Sequence, residues 1–90
     1  MDKILISLRV NNSTTPNKLA GSIAKNIQEG KDVEITAVGA GAVNQTVKGL
    51  AIARTFVAGA GKDLLFAVGF LDVIIEEQKK TAMRFFCKVL

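Results

Sequence analysis

The sequence predicts a two-layer α/β sandwich of the α+β kind, with one mixed four-stranded sheet and both helices on one of its faces. Three observations carry this. Apolar residues alternate at period two in the first, second and last strand-like stretches. Between the first two lies a segment whose apolar residues recur at helical spacing. The order is strand–helix–strand–helix–strand–strand. Strand–helix–strand units are right-handed crossovers, which puts both helices on the same side of the sheet.

The first strand is set by Ile4, Ile6, Leu8 and Val10, which alternate with Lys3, Leu5, Ser7 and Arg9. Asn11 to Thr15 is a polar loop. Thr15 followed by Pro16 reads as a helix N-cap and first helical residue, because proline lacks an N–H that would go unpaired there anyway. The helix runs to about Glu29, and Gly30 is a left-handed stop. Leu19, Ala20, Ile23, Ala24 and Ile27 form its apolar side. Gly21 costs such a helix about 1 kcal/mol, and beside Ala20 and Ala24 it suggests a close backbone approach to a neighbour.

Val33, Ile35 and Ala37 define the second strand. Gly39-Ala40-Gly41 leads into a second helix from about Ala42 to Ala58, which ends at Gly59-Ala60-Gly61. The third strand runs from Leu64 to about Ile75 and is apolar on both faces. Glu76 to Lys80 reads as a charged turn, and Thr81 to Leu90 as the last strand. Together with part of the last strand, the third exposes more apolar surface than two short helices can cover, which predicts a homodimer or higher oligomer.

With 90 residues, 49% of them hydrophobic and one of them proline, the chain is a single domain over 1–90 rather than a disordered or low-complexity segment. It has no histidine and one cysteine, Cys87. That composition argues against a zinc site, a Ser-His-Asp triad, a Cys-His pair and an internal disulfide. No apolar run approaches the roughly 18 residues of a membrane span. The start, Met1-Asp2-Lys3-Ile4, shows no signal-peptide layout. The expectation is a cytoplasmic protein with no cofactor, no membrane partner and no small-molecule substrate. Net charge is +4 and the pI is near 9.5, a balance that suits a polyanion partner.

Gly39 and Gly41 do not complete a dinucleotide fingerprint, because position 44 is Asn44 rather than glycine. What remains is a helix start behind flexible glycines, with backbone N–H groups suited to an anion such as phosphate. Asn44, Gln45 and Lys48 lie on the early turns of that helix. They either face one phosphate or base edge, or Asn44 or Gln45 ties the adjacent loop down. Gly61-Lys62 lacks the rest of a P-loop. Glu76-Glu77 reads as a solvated turn rather than paired catalytic carboxylates, and Cys87 as a core residue. Lys79 and Lys80 are placed at a basic hairpin tip, with Arg9, Arg84 and Lys88 on outward strand positions. Such a tip tracks a phosphate backbone or protects a sheet edge.

The block Ala37-Val38-Gly39-Ala40-Gly41-Ala42-Val43-Asn44-Gln45-Thr46-Val47-Lys48, continued by Ala51-Ile52-Ala53-Arg54, resembles the signature of the stage V sporulation protein S family. Pro16 to Ile23 resembles that family's first-helix opening, and Thr81-Ala82 its hairpin exit. The resemblance covers essentially the whole chain. It implies an Alba-like fold, a role in bacterial sporulation or related development, and dimeric nucleic-acid binding, to DNA or RNA. The implied contacts are the loop before helix one, the loop into helix two and the hairpin arm. They map to Gly39, Gly41, Asn44, Gln45 and Lys48, and to Lys79, Lys80 and Arg84. Family members tend to carry a basic residue before Pro16. Here Asn11 to Thr15 is uncharged, and Lys18 is the nearest substitute. The expectation is therefore a non-enzymatic nucleic-acid-binding regulator. The alternative is a protein–protein adaptor that assembles through its sheet.

Overall fold

A computed structural model describes residues 3–90, so Met1 and Asp2 of the expected leaderless start lie outside the described residues. The elements are β1 (Leu5–Val10), α1 (Pro16–Gln28), β2 (Asp32–Ala37), α2 (Ala40–Ala58), β3 (Leu64–Ile75) and β4 (Gln78–Val89). They form one four-stranded sheet in the order β1-β2-β4-β3. β1 and β2 are parallel, while β4 is antiparallel to both β2 and β3. This is the α+β arrangement and element order that the sequence predicts.

The core lies between the helices and one face of the sheet. α1 contributes all five of its expected apolar residues, Leu19, Ala20, Ile23, Ala24 and Ile27. The sheet contributes Val33, Ile35 and Ala37 from β2 and Phe85 and Cys87 from β4, paired as Val33↔Cys87 and Ile35↔Phe85. α2 buries Ala42, Thr46, Gly49, Leu50, Ala53 and Val57. Thr46 is tolerated there because its hydroxyl donates to the Ala42 carbonyl oxygen at 2.9 Å.

Three local expectations change. Gly21 is exposed, with nothing within 4 Å of where a Cβ would stand. The close helix–helix approach is at Gly49 instead, where a Cβ would lie 2.7 Å from Leu19 Cδ2 and 3.0 Å from Leu19 Cγ. Gly49 faces inward with Thr46, Leu50 and Ala53, whereas Gly21 lies on the solvent side of α1. Second, α2 begins at Ala40 rather than Ala42, so Gly41 sits in its first turn and Gly39 is the N-cap.

Third, the hairpin turn is only Glu76-Glu77. Both residues adopt left-handed backbone, with φ of 51° and 64°. Positive φ at both central residues gives a two-residue turn whose twist matches that of paired strands. Lys79 and Lys80 therefore lie within β4, opposite Ile74 and Val73. Charged side chains on a solvated two-stranded arm do not interrupt pairing, so a run of charges was a poor guide to the turn's length.

β2 pairs with β4 only as far as Ala37↔Met83. Beyond it, the pairs Leu71↔Ala82 to Ile75↔Gln78 form a free two-stranded arm, roughly 17 Å long at about 3.4 Å per residue. Because β1 and β2 are parallel, their C-terminal ends, both helix starts and the root of this arm share one end of the molecule. The β1 start, the α1–β2 turn and the β4 end share the other.

Candidate nucleic-acid interface

The loop between β1 and α1 is held by its own polar side chains. The Asn11 Oδ1 accepts from the Ser13 backbone N–H at 2.9 Å and from the Ser13 hydroxyl at 2.7 Å. The Thr14 hydroxyl oxygen accepts from the Asn11 N–H at 3.0 Å. Asparagine, serine and threonine favour such local closures because a short side chain can take the place of a backbone partner.

This loop packs directly on the start of α2. A Cβ on Gly41 would stand 2.7 Å from Asn12 Cβ and 3.6 Å from its Cα, so glycine is what lets the loop lie against the helix. Gln45 Nε2 donates to the Thr14 carbonyl oxygen at 3.0 Å, across 31 positions in the chain. Of the two roles considered for Gln45, tying down the loop is the one this bond performs. Asn12 and Thr14 complete the junction and were not singled out by spacing. The Asx-type composition of their loop was the available signal.

Two helix N-termini flank the junction. Gly39 caps α2 with φ of 91°, a left-handed value that favours glycine. Thr15 occupies the N-cap of α1, as expected, but its side chain makes no capping bond. Neither helix has a side-chain cap or an acidic residue in its first turn. Lys18 is exposed on the first turn of α1, and Asn44 and Lys48 are exposed on successive turns of α2. The structure thus brings Lys18, Gly39, Gly41, Asn44 and Lys48 to one end of the molecule, around a junction that Gln45 holds.

The hairpin differs in character. Its tip is acidic. Lys79 Nζ lies 3.3 Å from Asp72 Oδ2, across the arm. Lys80 is exposed on the other face. From Leu71 to Ala82 the arm carries Lys79 and Lys80 against Asp72, Glu76 and Glu77, so it is not a basic element. Arg84 lies at the arm's root on the helix-free face of the sheet. It forms an ion pair with Glu34, its Nε donating to Glu34 Oε2 at 2.7 Å, while the Ser7 hydroxyl donates to Glu34 Oε1 at 2.8 Å. The signal for this network was in the alternation, which puts Ser7, Glu34 and Arg84 on the same outward face.

β3 is an edge strand, and only its first residue is fully buried. Leu64 is buried, while on the same side Phe66, Val68 and Phe70 are 41%, 50% and 79% exposed. Cys87 is buried under the helices, and that burial pushes its thiol up to about 11. A thiol held neutral in this way is a poor nucleophile at neutral pH. Among the described residues no three His, Cys, Asp or Glu side chains cluster as a metal site would require, and no helix is long and apolar enough to cross a membrane.

The model of one protein family, stage V sporulation protein S, matches residues 6–89. The chain belongs to the stage V sporulation protein S family. The match takes in both helices and all four strands but for Leu5, the first residue of β1, and includes the loop junction and the arm. Membership supports a role in sporulation, and the family is not a known enzyme family.

Proposed function

We propose that this protein is a non-enzymatic, cytoplasmic nucleic-acid-binding protein that acts as a homodimer in sporulation. The observation behind the reading is the convergence of two uncapped helix N-termini with Lys18, Asn44 and Lys48 at one end of the molecule. Free N–H donors and the positive ends of two helix dipoles suit phosphodiester oxygens. The glycines at 39 and 41 let backbone approach without side-chain obstruction. Such contacts position a backbone and read no bases. The arm contributes less: Lys80 and the paired Lys79 and Arg84 stand among carboxylates. The exposed helix-side strip of β3 is the dimer surface in this reading, because an uncovered apolar edge strand is a template for association.

The test is fluorescence anisotropy with labelled duplex DNA, single-stranded DNA and RNA at two salt concentrations. Binding should weaken steeply as salt rises, since neutralised phosphates release counterions. Lys18→Glu with Lys48→Glu should weaken it at least tenfold, and Lys79→Glu with Lys80→Glu by less than about fivefold, given a combined charge-contact energy of about 1 kcal/mol or less on the exposed arm. Equal losses in the two double variants would return the arm to a main role, and an unchanged affinity in the second would remove it altogether. The second reading, a protein–protein adaptor, is favoured by the same β3 strip. It requires a stable oligomer with no nucleic-acid affinity at low salt.

A further inference from the structure

Gly69 lies midway along β3, where a glycine weakens a strand and has no side chain to pack. Nothing within the subunit calls for it. The β3–β4 register runs unbroken from Leu64↔Val89 to Ile75↔Gln78, so Gly69 does not make a bulge. Its φ is not left-handed, unlike those of Gly30, Gly39 and Gly61. A Cβ at this position would meet nothing within 4 Å. A strand glycine with none of these local reasons marks close approach by a group from outside the subunit.

The space over Gly69 is an open hollow of about 480 Å³, lined by Ala67, Val68, Gly69, Phe70, Arg84 and Phe86. Register puts four of these on the helix-free face of the sheet as two cross-strand pairs, Ala67↔Phe86 and Gly69↔Arg84. Val68 and Phe70 carry their side chains on the other face and border the hollow from the sheet's free edge. On the helix-free face, β3 thus supplies almost no side chain, while β4 supplies two large flat groups. Phe86 is 38% exposed. The Arg84 guanidinium is fixed, because its Nε donates to Glu34 Oε2 at 2.7 Å and Glu34 Oε1 accepts from the Ser7 hydroxyl. A low floor therefore lies beside an aromatic ring and a guanidinium plane held in place, and flat rings stack on both kinds of surface.

Charge on this face selects the partner. Arg9, Lys80 and Lys88 are exposed on it, and among the described residues none has an ion-pair partner within 4.0 Å. Its carboxylates are engaged, Glu34 by Arg84 and Asp32 by Lys3 at 3.9 Å. A second copy of the same face would set the free cations against one another, whereas a polyanion neutralises them. Lys88 lies one alternate position beyond Phe86, about 7 Å along β4, which places a free cation next to the ring.

We propose that the helix-free face binds single-stranded nucleic acid, with one unpaired base over Ala67 and Gly69, stacked against Phe86 and Arg84, and a neighbouring phosphate on Lys88. The strand is single because the base faces of a duplex are already stacked on each other, whereas splayed bases stack on aromatic side chains and on arginine planes. The inference rests on the nucleic-acid reading and adds a base-binding surface separate from the loop junction. The apolar β3 strip assigned to the dimer lies on the other face, so the hollow stays open in that dimer. The shared chemistry, a base face with a phosphate beside it, comes from DNA or RNA.

The experiment measures anisotropy of labelled strands of about twelve nucleotides: oligothymidylate, oligouridylate, and an abasic strand of the same length and charge. The two base-bearing strands should bind at least fivefold more tightly than the abasic strand, and within about tenfold of each other. Gly69→Val fills the hollow with a side chain that suits a strand. It should remove the preference for bases, leave binding of the abasic strand unchanged, and unfold at no lower temperature than the parent. Phe86→Leu keeps apolar bulk without the ring, and Arg84→Lys keeps the charge without the plane. Each should reduce the preference at least threefold. Lys18→Glu with Lys48→Glu should weaken all three strands alike and leave the preference intact, so failure of the loop junction and failure of this face are read separately. An abasic strand bound as tightly as oligothymidylate, or a folded Gly69→Val or Phe86→Leu protein with the full preference, overturns the proposal. Binding of the uridylate strand alone would overturn it in favour of sugar recognition.

Discussion

β2 and β3 are both strands with apolar residues on the helix side of the sheet, and they meet opposite fates. Val33, Ile35 and Ala37 are fully buried, whereas Phe66, Val68 and Phe70 stand in solvent. The difference lies in sheet order. β2 is central, beneath both helices, while β3 is at the edge, where α2 reaches only Leu64. Alternation therefore reports which face of a strand is apolar. Position in the sheet decides what covers that face. The helix layer over β2 is a finished core, and the helix-side face of β3 is an unfinished one.

The sharpest way to probe the finished side is to compare its two helical glycines. Gly49→Val forces a branched side chain into buried Leu19, and overpacking of this kind costs about 3 kcal/mol. Thermal unfolding should fall by about 15 °C, at roughly 4–8 °C per kcal/mol for a chain of this size. Gly21→Ala meets open solvent and should stabilise by up to about 1 kcal/mol through helix propensity. Effects of the same sign at the two positions would show that the helices do not pack as described.

An intermediate effect belongs to the loop junction. Gly41→Ala should destabilise by about 1–2 kcal/mol, because the new methyl overlaps Asn12 Cβ at 2.7 Å. Adding Asn12→Gly removes that overlap and leaves an ordinary contact with the Asn12 Cα. A double-mutant cycle should then show strong positive coupling between the two sites. Additive losses would mean that the loop does not rest on α2.

On the unfinished side, Phe70→Lys should change the stability of the single subunit by less than about 0.5 kcal/mol, as expected for an exposed site. The same change should convert the proposed dimer to a monomer in light scattering. A dimer that persists in the Phe70→Lys variant would move the interface away from this strip.

The two regions also differ in how well they could be read from sequence. Alternation and helical spacing are local, and they placed the strands, α1 and its buried residues within a residue or two, except that β4 starts at Gln78, three residues before the expected Thr81. Glycines were harder. Gly21 and Gly49 look alike as interruptions of a helix, and only the facing of each helix separates the solvent-side residue from the packed one. The candidate site was legible as residue types, including Gly39, Asn44 and Lys48. The contact of Gln45 with Thr14 was not, because it joins positions that are near only after β1 and β2 pair. Charges misled at the hairpin, where Lys79 and Lys80 belong to the strand and the two glutamates make the turn.

The smallest effect lies where β3 begins. Asp63 accepts from Arg54 Nε at 2.7 Å and from the Leu64 backbone N–H at 2.8 Å, and both bonds hold its carboxyl below the ordinary value of 3.8. A depressed acid is a stabilising group above its unfolded-state value, and its contribution disappears as pH falls through the lower folded value. Wild-type urea midpoints should therefore decline below about pH 4 more than those of Asp63→Asn. Near pH 7 the wild type should be the more stable of the two by a small margin, since the ion pair is exposed and screened by salt, and the two should converge in acid. Parallel acid profiles would mean that the carboxylate does not anchor the strand, and would leave the backbone pairing of Asp63 with Leu90 as what holds the start of β3.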